Sequence, residues 1–165
     1  MPIDLLKYIT PKTVRFCRES STMTSVLEEI SNLVSSTNKD LTQLKPVIYD
    51  ALCAREMLGS TAITRGLALP HCRIPYISDF IIGILVSPEG IACKSLDRKA
   101  SRVFVFIIAP QDSGNEYLKI MAELGSFLDT DGKIDTLAKA KNEEELYHTF
   151  LKLWEEYLHQ DTQNL

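Results

Sequence analysis

His71 is the residue in this chain best suited to covalent chemistry. It ends the run Gly66-Leu67-Ala68-Leu69-Pro70-His71 and is one of three histidines. A neutral imidazole nitrogen is a competent nucleophile near pH 7, because the unperturbed group titrates at about 6.5. Such a nitrogen can attack phosphorus in line and form a covalent phosphohistidine, a group-transfer intermediate. That chemistry makes two demands on its surroundings. One ring nitrogen must be held by a hydrogen bond, which leaves the lone pair on the other. Guanidinium, hydroxyl or backbone N–H donors must meet the negative charge on the phosphoryl oxygens. Arg55, Ser60 and Thr61 precede the short apolar run, and a loop returning to its end would put them beside His71. Plainer roles exist for each. His71 can be a strand-end histidine satisfied by backbone, Arg55 a cation complementing a helix C-terminus, and Ser60 and Thr61 loop hydroxyls bonded to nearby backbone.

The other candidate groups carry less. His148 and His159 fall in an amphipathic helical pattern and read as surface residues. Cys72, next to His71, is either a redox-sensitive thiol or an inert small side chain. Cys17, Cys53, Cys72 and Cys93 show no paired spacing, which argues against a zinc site or a disulfide framework and for a reducing cytoplasm. No metal cluster and no cofactor motif is present in the sequence, so none is expected. Between Arg55 and Arg102 seven basic residues face four acidic ones; that segment carries +3 and, with a net charge of −4, the remainder carries −7. A local positive field around His71 suits an anionic ligand or an acidic partner surface, and scattered solvated charges are the plain alternative. No basic tract with interleaved aromatics points to nucleic acid.

These residues need a scaffold. At 165 residues, 45% hydrophobic and 24% charged, the chain suits one domain with a real core. The expected division is a domain over 1–160 and a tail over 161–165. Its longest apolar runs, Phe80–Val86 and Val103–Ala109, are seven residues each, too short for a bilayer. The start Met1-Pro2-Ile3-Asp4-Leu5-Leu6-Lys7 has no basic block followed by an apolar one, so no secretion signal is expected. Met23, Val26, Leu27, Ile30, Leu33 and Val34 predict a helix over 22–35 capped by Thr22 or Ser21. A second helix begins near Asp40 or Pro46 and ends at Leu58, with Gly59 just past it. Val14–Cys17, Gly66–Leu69, Phe80–Ser87, Ile91–Lys94 and Arg102–Ala109 read as strands, with a turn through Pro88-Glu89-Gly90. Helices are expected over 115–128, capped by Asn115, over a short stretch near 133–140, and over 142–159, capped by Asn142. Apolar runs buried on both faces call for helices above and below them. The fold class is therefore α+β: a three-layer α/β/α sandwich around a mixed sheet of four to five strands.

The stretch from Arg55 to Arg73 carries a family resemblance. An Arg55-Glu56 pair, Ser60-Thr61, a glycine-led short strand ending in Ala68-Leu69-Pro70-His71, and a basic residue two further on stand in this order. Together they resemble the phosphotransferase-system enzyme IIA domain of the fructose/mannitol class, including its stand-alone nitrogen-regulatory branch. The likeness continues through Gly90-Ile91, Val103–Ala109, Pro110 and the helix beyond, about Ile3 to Phe150. It implies that His71 accepts a phosphoryl group from a small histidine-phosphocarrier protein, with Arg55 and Thr61 shaping the anion site and Arg73 assisting. It further implies regulatory target proteins or a separate sugar-transporter component as partners, without membrane insertion. The family usually carries a second histidine where Tyr117 stands, in the pair Tyr117-Leu118. A phenol donates a hydrogen bond but does not titrate near pH 7, which puts onward transfer in question. The alternative is an interaction module of the same fold that has lost it.

Overall fold

A strand buried on both faces dictates the layering. β5 (Ser101–Pro110) turns Val103, Val105, Ile107 and Ala109 to one core and Phe104, Phe106 and Ile108 to the other. Each face needs a helical layer. The computed structural model describes residues 3–17 and 19–164, and supplies both. α1 (Met23–Ser36) and α2 (Lys45–Met57) cover the Phe104–Phe106 face through Val26, Leu27, Ile30, Ile48 and Leu52. α3 (Gly114–Leu128), α4 (Lys133–Ala138) and α5 (Glu143–Gln163) cover the other through Ile120, Leu124, Phe127, Leu137, Phe150 and Trp154. The result is the expected α/β/α sandwich.

The sheet is mixed and has five strands. β1 (Ile9–Phe16) pairs in parallel with β4 (Ile81–Ile91), and β4 runs antiparallel to β5. On the far side of β5 lie two short parallel strands, β2 (Leu67–Ala68) and β3 (His71–Ile74). Leu67 sits opposite Val103 and His71 opposite Ile107, the same offset, so β2 and β3 form one edge line interrupted at Leu69-Pro70. Proline has no N–H to give the ladder. The Pro70 carbonyl still accepts from the Ile107 N–H, which restarts the pairing. His71 therefore opens a strand rather than closing one.

Helix ends follow the side chains available. Thr22 caps α1 in a reciprocal box with Ser25. Asn142 Oδ1 accepts the Glu145 N–H at 2.8 Å to start α5, a cap worth about 1 kcal/mol. At α3 the expected cap fails. Ser113 holds the cap position without a side-chain cap bond, and Asn115 lies inside the first turn. α2 starts at Lys45 with proline in its first turn, after a 3-10 turn over Lys39–Leu44. The strand boundaries shift as well. β1 begins at Ile9 instead of Val14, because Thr10-Pro11-Lys12-Thr13 bulges out of register before the ladder resumes. β4 runs through Pro88-Glu89-Gly90 as one strand with an irregular register between Val86 and Ile91, and Lys94 lies outside it. α4 stops at Ala138. The last helix passes its expected end at His159 and continues to Gln163, and the Thr162 hydroxyl donates to the His159 carbonyl. Met1, Pro2 and Leu165, which fall within the expected leaderless start and tail, lie outside the described residues. No helix among the described residues is long and apolar enough to cross a membrane.

Candidate functional site

His71 opens the edge strand β3. Arg55, in the last turn of α2, and Tyr117, near the start of α3, both reach its ring. Two hydrogen bonds fix its ring. Nδ1 lies 2.7 Å from the Leu69 carbonyl oxygen. A carbonyl only accepts, so Nδ1 carries the proton. Arg55 Nε donates to Nε2 at 2.9 Å, which places the ring's lone pair on Nε2. The Nδ1 contact is local, reaching the carbonyl two residues back along the chain, where Leu69-Pro70 interrupts the edge line.

Arg55 is itself tethered. Its Nη1 donates to the Gly59 carbonyl at 2.9 Å, so the guanidinium spans from the loop to the imidazole. Glu56, its neighbour, accepts the Thr61 hydroxyl at 2.6 Å and the Thr61 N–H at 3.1 and 3.3 Å. The Thr61 hydroxyl is thus committed to Glu56, and the residue is buried. Its link to His71 runs through backbone, since the Leu69 N–H donates to the Thr61 carbonyl at 3.0 Å. Ser60 Oγ accepts the Ala62 N–H at 3.2 Å, the local loop bond that serine hydroxyls commonly make. The Thr61 hydroxyl proton is spent on Glu56, whereas Ser60 accepts here and keeps its own O–H as a donor.

Tyr117 is close. Its ring centroid lies 5.8 Å from that of His71, tilted by 57°, within the range of favourable aromatic pairs. The Arg73 guanidinium lies 4.3 Å over the Tyr117 ring and donates to the Gly114 carbonyl at 3.4 Å. Burial pushes the Tyr117 hydroxyl above its ordinary 10.0, against the pull of Arg73 and Arg55. The structure therefore brings Arg55 and Tyr117 to His71, sets Arg73 over the Tyr117 ring, and places Ser60 and Thr61 in the supporting loop. Glu56 is the participant without an assigned role at the level of sequence. Its only signal there was its place in the Arg-Glu pair. Cys72 is buried with its thiol pushed up to about 12, which removes the reactive-thiolate reading. His148 and His159 are exposed on α5. Among the described residues no group of three His, Cys, Asp or Glu side chains converges as a metal site.

The electrostatics keep the imidazole neutral. His71 is held below its ordinary 6.5, chiefly by burial and further by the Arg55 cation; the Leu69 carbonyl and the Glu56 carboxylate pull the other way. The folded state thus resists protonation. Any stability His71 contributes through this shift is present above 6.5 and is lost as pH falls from there through the folded value. An NMR titration of the His71 ring is expected to show its midpoint below 6.5, and a midpoint at or above it would contradict this electrostatic balance.

Residues 7–153 match the family model described as phosphoenolpyruvate-dependent sugar phosphotransferase system, EIIA 2. A nitrogen regulatory protein of Pseudomonas aeruginosa is 31% identical over 123 residues, covering 74% of this chain and 78% of its own. Among solved structures, the nitrogen regulatory protein IIA-Ntr from Neisseria meningitidis superposes with a TM-score of 0.75 at 20% identity, covering 87% of this chain and 96% of its own. The complex of enzyme IIAMTL and phosphorylated enzyme IIBMTL from Escherichia coli contains a chain that matches with a TM-score of 0.67 at 16% identity, over 87% of this chain and 97% of that one.

Proposed function

The chain belongs to the EIIA 2 family of the phosphoenolpyruvate-dependent sugar phosphotransferase system, and on that premise we propose that His71 Nε2 accepts a phosphoryl group from a histidine-phosphocarrier protein in the cytoplasm. The observation that carries this reading is the pair of bonds on the ring: Nδ1 on the Leu69 carbonyl and Nε2 against Arg55. In the step, the Nε2 lone pair forms the N–P bond. The donor's N–P bond breaks, and its electron pair returns to the donor imidazole. The Nδ1 proton stays where it is, held by the Leu69 carbonyl. The product ring is substituted on both nitrogens and positively charged, next to a dianionic phosphoryl group. Arg55 gives up Nε2 and turns its donors to the phosphoryl oxygens. Arg73, over the Tyr117 ring, is the second cation available to them.

Recognition of a protein donor has support on the surface. Met57 and Leu58, next to the Arg55 turn, are 88% and 85% exposed, and Leu118, next to Tyr117, is 60% exposed. Large apolar side chains standing out on both sides of a reactive residue fit a transient protein contact. Phosphorylation adds up to about −2 charge within the locally basic part of the chain, which alters docking of whatever binds there. Regulated binding of target proteins is the output we favour. Passing the phosphoryl group to a separate sugar-transporter component would lack the help of a second imidazole at 117.

Tyr117 also favours a second reading, an interaction module that is never phosphorylated. One experiment separates them: incubation with a phosphocarrier, its upstream kinase and phosphoenolpyruvate. The relay requires a mass gain of one phosphate that is acid-labile and base-stable. A competent donor that yields no gain leaves the binding module. Within the relay reading, Tyr117→Phe is expected to leave labelling in place and to shorten the lifetime of the phospho-form by roughly tenfold, the worth of one hydrogen bond to a charged group. An unchanged lifetime would remove the hydroxyl from the site.

A further inference from the structure

We propose that Glu56 is a positioning residue that acts with Arg55 to fix which nitrogen of His71 is nucleophilic; the inference rests on the reading of His71 as the phosphoryl acceptor. A continuous chain of hydrogen bonds joins the two. Three bonds tie Thr61 to the Glu56 carboxylate. The Thr61 carbonyl takes the Leu69 N–H, and the Leu69 carbonyl takes the His71 Nδ1–H. Arg55, one residue earlier, grips the same loop at Gly59 and meets the ring at Nε2. Both ends of the imidazole are thus referenced to the last turn of α2, one directly and one through the loop.

The location of Glu56 argues for this task. An acid in the last turn of a helix faces the negative end of the dipole, where cations are favoured. Glu56 sits there in α2, so helix electrostatics do not account for it. Its carboxylate instead satisfies a backbone N–H and a hydroxyl of a buried residue, which would be costly to leave unpaired. Removing it frees Thr61 and loosens the Leu69 carbonyl. The ring then loses the acceptor that keeps its proton on Nδ1. The other tautomer would point an N–H at the Arg55 N–H, donor against donor, and would leave no lone pair on Nε2. A nucleophile held that loosely is a poor one, since small displacements are amplified in rate.

The test uses protein with 15N-labelled histidine, and reads the tautomer from long-range proton–nitrogen correlations at pH 7.5, beside the rate of phosphoryl acceptance from a charged phosphocarrier. Wild type is expected to show the proton on Nδ1. Glu56→Ala is expected to give a tautomer mixture and to slow acceptance on the order of tenfold or more with an unchanged KM for the carrier. Glu56→Gln, whose amide can accept the Thr61 N–H and donate to the Thr61 hydroxyl, restores the Nδ1–H signal. Thr61→Val loses only the hydroxyl bond and shifts the tautomer less; it carries the test if Glu56→Ala does not fold. A wild-type tautomer and rate in folded Glu56→Ala, or in Thr61→Val where that variant carries the test, overturns the positioning role. A wild type that takes no phosphate while its tautomer still answers to Glu56 overturns the acceptor reading and leaves the positioning intact.

Discussion

With His71 replaced by glutamine, the protein gains no phosphate from a charged carrier, while wild type gains one. The substitution is chosen to separate chemistry from folding. A glutamine oxygen can still accept from the Arg55 Nε–H that now meets Nε2 at 2.9 Å, so the edge strand and the loop keep their arrangement. An amide has no nucleophilic nitrogen, and the loss is therefore complete rather than partial. The two remaining imidazoles are internal controls. His148 is exposed and 4.0 Å from Glu144, and His159 is exposed on the same helix. Neither has an arginine at one nitrogen and a carbonyl at the other, so neither should carry the label. Intact-mass and peptide mapping of the two proteins decide the matter. Phosphate retained in His71→Gln, at His148 or His159, would sink His71 as the acceptor.

How much of this was legible beforehand depends on whether the signal was local. The layers were, because Val103–Ala109 has to be buried on both faces, and the helical spacing of Val26, Leu27, Ile30 and Val34 is long enough to declare itself. Thr22 and Asn142 announced their caps by residue type. β3 did not, since four residues after a proline give period-two alternation too little length. The early start of β1 was hidden by Thr10-Pro11-Lys12-Thr13, whose bulge resembles a turn in sequence. Asn115 misled because a good capping residue stood two positions inside the helix start. The site divides the same way. Arg55 and His71 stand in one motif and do meet. Thr61 looked like an anion donor, but its hydroxyl is taken by Glu56, a contact that exists only once the loop closes. The Arg73 stack on Tyr117 joins an edge strand to a helix of the far layer, with 43 intervening positions, and no local pattern encodes it.

Arg55→Ala is expected to slow phosphoryl acceptance by about 10²–10³ without abolishing it, the scale for removing one preorganised donor from developing oxyanion charge. Three effects combine, and they can be read apart. The phosphoryl oxygens lose their nearest guanidinium, which lowers the rate at saturating donor. The ring loses its partner at Nε2 but keeps the Leu69 carbonyl at Nδ1, so the tautomer is largely retained and the nucleophile survives. The His71 pKa rises toward its ordinary 6.5, because the Arg55 cation contributes to holding it down. The acid limb of the rate profile therefore moves to higher pH in the variant. Arg55→Lys restores the charge but not the planar fork that reaches both Gly59 and the imidazole, so it should recover the pKa more fully than the rate. Stopped-flow or quench measurements across pH, with the carrier in excess, read all three. An Arg55→Ala protein that accepts phosphate at the wild-type rate would mean that the guanidinium only caps the resting nitrogen, and that the charge on phosphorus is met by Arg73 or by the donor protein instead.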